Sequence, residues 1–182
     1  RRGRVPPPEG GTPMSVNPEL LRALEQAIQA EIEGYHFYTM SAAATSDAQG
    51  KAMFEKLAKD EVQHAEFLRA QHRALEATGR VDRIIEIAGE SSFDSGAPFF
   101  SAQFEQRAAD AHFEMTALSV GAQLEADAIR FYAEQADKAE DPEVAAFFRE
   151  LSTWETGHHD LLVTQMRELE QEYWAANRFA PF

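Results

Sequence analysis

From Asn17 onward, apolar side chains recur every three or four positions. Leu20, Leu21, Leu24, Ile28, Ile32, Tyr35 and Tyr38 share one helical stripe, and Glu31 sits within it. Asn17-Pro18-Glu19 offers a capping side chain followed by proline at the first helical position, so the pattern predicts a first helix over about 18–45. Ser46-Asp47 caps a second, carrying Met53, Phe54, Leu57, Val62, Phe67, Leu68 and Leu75 and stopping at Gly79. Residues 79–100 mix turn formers with a short apolar patch, Ile84 to Ile87, and read as a connector. A third helix is predicted from about Ser101 to Ala139. Asp141-Pro142-Glu143 then repeats the cap-plus-proline signal for a fourth, ending near Ala175. Residues 1–16 have little to bury and are expected to be a disordered extension, with Met14 as the natural start. Residues 176–182 form a tail whose aromatics are expected to pack on the helices.

The pattern also repeats. Glu31, Tyr38, Glu61 and His64 recur as Glu125, Tyr132, Glu155 and His158, 94 residues later. The caps Asp47 and Asp141 keep this offset, as do Phe37/Phe131, Phe54/Phe148, Leu57/Leu151 and Leu68/Leu162. Each half therefore reads as one antiparallel helical hairpin with a short turn. A connector of about twenty residues reaches about 60 Å when extended. That exceeds the roughly 42 Å of a 28-residue helix. Two hairpins joined by a long crossover define the expected fold, an all-α, ferritin-like four-helix bundle over residues 17–175.

Composition narrows the chemistry. The 182 residues carry 17 Lys+Arg against 31 Asp+Glu, a net charge of −14 that disfavours nucleic acid and anionic membranes. There is no cysteine, which excludes disulfides, thiol catalysis, iron–sulfur clusters and rubredoxin-type iron. No apolar run approaches a membrane span and no secretory signal is visible, so a cytoplasmic protein is expected.

Glu61 and His64 lie three apart, on one helix face, and so do Glu155 and His158. Antiparallel packing and a pseudo-two-fold axis would bring both pairs level with Glu31 and Glu125. Four carboxylates in an apolar core repel one another unless cations neutralise them. Two divalent ions do so, with Glu31 and His64 terminal on one, Glu125 and His158 terminal on the other, and Glu61 and Glu155 bridging. Tyr38 and Tyr132 lie two turns beyond their glutamates, within reach of supporting hydrogen bonds. His36, His72, His112 and His159 lack repeat partners and are expected at the surface or rim, as are Glu33 and Glu66. The oxygen-rich set suits iron, with manganese as the alternative.

The segments AEIEGYHFY, FEKLAKDEVQH, LEADAIRFY and FRELSTWETGH resemble the four metal-binding helices of rubrerythrin-like members of the ferritin-like superfamily. The resemblance implies a carboxylate-bridged di-iron centre reacting with hydrogen peroxide or dioxygen. Rubrerythrins proper add a rubredoxin domain with four cysteines; none exists here, so a separate electron donor is expected. They also carry an additional glutamate about one turn from the third-helix ligand. Ala122 and Ala128 stand there instead, so its redox-linked ligand switch is not expected. Bacterioferritin places a haem-ligating methionine after the E-x-x-H glutamate, where this chain has Val62 and Thr156. No haem, and no haem-containing storage cage, is therefore expected. The leading expectation is a di-iron oxidoreductase of peroxide defence, assembled as a homodimer. The alternatives are a ferroxidase or iron-binding protein, a manganese catalase-like centre, and a helical interaction protein with a vestigial site.

Overall fold

A computed structural model describes residues 17–82 and 112–176, with side chains to Trp174. Four helices account for nearly all of them: α1 (Pro18–Ala44), α2 (Ala48–Thr78), α3 (His112–Lys138) and α4 (Pro142–Ala176). The boundaries follow their signals. Asn17 Oδ1 accepts from Glu19 N at 2.9 Å and Leu20 N at 3.3 Å, and Asp47 accepts from Gln49 and Gly50. Gly79 ends α2 at φ 73°, a left-handed conformation that suits glycine, with its N–H on Leu75 O at 2.8 Å. Glu143 N donates to Asp141 Oδ1 at 2.8 Å to open α4. The expected extension, the Ile84–Ile87 patch, the stretch 101–111 expected to begin the third helix, and residues 177–182 lie outside the described residues.

Helices α1 and α2 pack as one hairpin, α3 and α4 as another, and α1 lies against α3. Tyr132 reaches Glu31 while Tyr38 reaches Glu125. Residue numbers rising on one helix as they fall on the other make α1 and α3 antiparallel. With α1 also antiparallel to α2, α2 and α3 run parallel, so Thr78 and His112 lie at opposite ends of the bundle. Just past α2 the chain is tethered: Gln71 Nε2 donates to Asp82 O at 2.7 Å, and its Oε1 accepts from Asp82 N at 2.8 Å.

Two apolar clusters fill the interior. One gathers Tyr38, Phe54, Leu57, Leu118 and Leu162; the other gathers Leu24, Leu68, Tyr132, Phe148 and Leu151. The first draws on late α1, early α2, early α3 and late α4, and the second on the opposite ends. They occupy the two ends of the bundle, and the 94-residue offset exchanges one for the other. Three members of the predicted stripes do not join them: Ile32 is only partly buried, and Tyr35 is 36% and Val62 37% exposed. Val62 follows Glu61 by one residue, about 100° around the helix, so an inward glutamate turns it outward. Tyr35 lies at the edge of the α1 stripe, where its ring rests on His36.

Candidate metal centre

Between the two apolar clusters, all six predicted ligands converge, none more than 7% exposed. His64 Nδ1 lies 3.4 Å from Glu31 Oε2, 3.7 Å from Glu61 Oε2 and 3.3 Å from Glu155 Oε1. His158 Nδ1 lies 3.7 Å from Glu125 Oε1, 3.5 Å from Glu61 Oε1 and 3.5 Å from Glu155 Oε2. Each set takes one histidine, one private glutamate and one oxygen from each of two shared glutamates. Glu61, His64, Glu155 and His158 offer ligand atoms within 4.8 Å of one another. The two imidazole rings stack at 5.3 Å.

The donor set fits metal ions on a geometric test. His64 Nδ1 and Glu155 Oε1 are fully buried, and neither makes a hydrogen bond within the protein despite lying 3.3 Å apart. Buried polar atoms are otherwise almost always paired. Two that converge without bonding are arranged for a third body between them, and carboxylate oxygen with imidazole nitrogen suits iron or manganese.

The tyrosines support the cluster across the repeat rather than within it. Tyr132 donates to Glu31 Oε1 at 2.6 Å, and Tyr38 donates to Glu125 Oε1. Each half thus holds the private glutamate of the other, a consequence of α1 and α3 crossing antiparallel. Burial, then the neighbouring carboxylates, pushes both phenols well above their ordinary value, so they remain donors.

The electrostatics divide the six groups. Burial, with repulsion from Glu155 and Glu61, raises Glu31 and Glu125 well above the carboxylate range. Burial would raise Glu61 too, but the Glu31 carboxyl and both histidines outweigh it and hold Glu61 at about 2. Glu155 is likewise lowered: burial opposes this, and the two histidines prevail. Burial lowers His64 and His158, but the carboxylates around them, Glu155 foremost for His64 and Asp60 for His158, raise both overall. Within the protein alone, Glu61 and Glu155 and the two histidines favour one another's charged forms, while burial favours the neutral forms of Glu31 and Glu125.

One participant escaped the sequence reading. Asp60, 4% exposed, brings Oδ2 to 3.6 Å from His158 Nε2, the ring nitrogen facing away from the cluster. Its repeat counterpart is Trp154, whose ring stacks on His64 at 5.5 Å. Aligning D-E-V-Q-H with W-E-T-G-H exposes this difference. The remaining histidines stand apart. His36 and His112 are exposed, His72 pairs with Glu25 and Glu76, and His159 lies beside Asp160. Glu33 and Glu66 are exposed as expected.

A cavity of about 450 Å³ opens between α1 and α3 and reaches the cluster, with Glu31, Glu61, Glu125 and Glu155 on its floor. Among the described residues no helix is long and apolar enough to cross a membrane.

An antiparallel four-helix bundle with paired E-x-x-H faces and two further inward glutamates is the architecture of the ferritin-like carboxylate proteins. Within that class the chain belongs to the rubrerythrin family, whose model matches residues 22–166. Comparison with curated proteins and with solved structures gives no match.

Proposed function

We infer that this chain is a non-haem di-iron oxidoreductase that reduces hydrogen peroxide or dioxygen. Glu31, Glu61, His64, Glu125, Glu155 and His158 are its ligands. The observation that carries the reading is the division of oxygens. Glu61 and Glu155 each turn one oxygen to the His64 set and the other to the His158 set. A carboxylate so placed bridges two ions. Bound there, two ferrous ions would supply one electron each to an oxidant.

The chain's own residues prepare the site for that exchange. Tyr38 and Tyr132 fix the orientation of the private glutamates by hydrogen bonds. Asp60 holds the far nitrogen of His158 and so aims Nδ1 into the cluster. The apolar clusters above and below close the two ends of the site, while the cavity between α1 and α3 gives access to it. With no cysteine in the chain, reducing equivalents would come from a separate donor protein. A cytoplasmic homodimer is the assembly we propose.

Anaerobic titration of the apoprotein with Fe(II), followed by addition of peroxide, tests this. Two irons bound per chain and oxidised promptly by stoichiometric peroxide is the expected result. Failure to bind defined iron would sink the reading. The acidic balance, 31 Asp+Glu against 17 Lys+Arg, favours a second reading in which the site is a ferroxidase that captures and passes on iron. Retention of iron well beyond two per chain after oxidation would select it. Metal analysis of protein from its own host decides between iron and a manganese catalase-like centre.

A further inference from the structure

The cavity above the cluster is larger than its proposed oxidant requires. A water molecule needs about 10–15 Å³ of such volume, and a cavity of about 150 Å³ holds benzene. The cavity here measures about 450 Å³, within the roughly 300–1,000 Å³ typical of small-molecule sites. Hydrogen peroxide would leave most of it unfilled.

Its walls state what would fill it. Ala30, Gly34, Leu124, Ala128 and Phe131 surround the space above the floor carboxylates. Gly34 and Ala128 are repeat counterparts, each three residues after a private glutamate and so on the cluster's face of its helix. A Cβ at Gly34 would lie 3.3 Å from the Glu61 carboxyl carbon, so glycine there makes room for that carboxylate, and Ala128 brings only a methyl group to the cavity wall. Among the described residues no lysine, arginine or histidine lines the cavity, while Glu33 and Asp127 do. An anionic substrate would meet repulsion there. The occupant this geometry selects is neutral and apolar along its body, with a reactive head at the floor.

We propose that the cavity binds neutral organic hydroperoxides, ROOH, and presents their peroxide head to the cluster. The inference rests on the di-iron reading for its chemistry, but the binding site stands independently of it. With two ferrous ions held by the cluster, the O–O bond of ROOH would break as it accepted two electrons, one from each ion, and with two protons from solvent ROH and water would leave. The apolar group R stays against Leu124, Ala128 and Phe131 throughout.

Two measurements on the full chain test it. First, binding of cumyl alcohol, the product of cumene hydroperoxide reduction, to the metal-free protein is followed by NMR shifts. Saturable binding is expected, weakened at least tenfold by Ala128→Trp, which fills the cavity, and by Leu124→Trp at its wall. No binding, or binding that neither variant disturbs, overturns the proposal whatever the metal content. Second, the ratio of kcat/KM for cumene hydroperoxide to that for hydrogen peroxide is compared in iron-loaded protein. The ratio is expected to fall at least tenfold in either variant; an unmoved ratio overturns the proposal. A chain that binds the alcohol but no iron defeats the di-iron reading and leaves the cavity assignment standing. Leu124 is 37% exposed, so its variant is expected to fold even should Ala128→Trp not.

Discussion

The two hairpins repeat the groups that face the cluster and differ in what stands behind them. Both supply Glu, Tyr, Glu and His at one spacing, and both stack the tyrosine on a phenylalanine. The ring separations are 6.4 Å for Tyr38–Phe54 and 6.3 Å for Tyr132–Phe148. Behind the histidines the likeness ends. His158 has the Asp60 carboxylate at its far nitrogen, whereas His64 has the Trp154 ring on its face. A carboxylate raises the basicity of an imidazole and fixes its rotation; an aromatic ring holds its plane without adding charge. Two halves that look equivalent in their inward Glu and His are therefore unequal in support.

Removing a shared ligand should have the largest effect on this comparison. Glu155→Ala is expected to abolish binding of both ions, and Glu31→Ala only of the ion on the His64 side, as read by iron content per chain. One ion retained in Glu155→Ala would show that this carboxylate is not shared. Next in size is the support behind the histidines. Asp60→Asn is expected to weaken one of two stepwise affinities by roughly 10–100-fold and leave the other near its starting value. Asp60→Glu should restore much of the loss, and Trp154→Ala should change the weaker step less. Equal weakening of both steps would mean that the halves are equivalent after all.

The pH dependence follows from the cluster's charges. Glu31, Glu125, His64 and His158 have folded values above their ordinary 4.5 and 6.5. Their stabilisation is complete below those ordinary values and is lost as pH rises through the raised ones. Glu61 and Glu155 are depressed, so theirs is present above 4.5 and lost only as pH falls toward about 2 or lower. Between pH 5 and 9 the Tm of the ion-free protein should therefore fall. The slope is at most about 1.4 kcal/mol per pH unit for each proton concerned. Ion binding displaces those protons, so the loaded protein should lose this slope or reverse it. A flat ion-free profile would contradict the charge assignment.

The smallest effect expected distinguishes the caps. Asp47 is buried and accepts two backbone N–H groups, while exposed Asp141 accepts from Glu143. Asp47→Ala should cost about 1 kcal/mol or more in denaturant unfolding, and Asp141→Ala less. Equal losses would remove this difference between the halves.

Much of the fold is legible along the chain because helices are local. Asn17, Asp47 and Gly79 act on residues no more than four away, and the predicted boundaries of α1, α2 and α4 agree with the structure to within a residue or two. The apolar stripes were less secure: Tyr35 and Val62 count as core by residue type, yet their angular position exposes them. The candidate ligands were legible for a different reason. Carboxylates and histidines recurring inside apolar stripes conflict with burial, and the repeat showed that conflict twice.

What the sequence determined alone is the inventory: four helices, their caps, the doubled Glu/Tyr/Glu/His set and the absence of cysteine. Tertiary structure decided the pairings. Tyr38 serves Glu125 rather than Glu31, Asp60 stands behind His158, and a cavity opens between α1 and α3. Hydrogen-bonding periodicity acts over a few residues and is written in the order of the chain. Partners 87 or 101 residues apart meet only through the crossing of helices, and no local pattern encodes which atom lies opposite which.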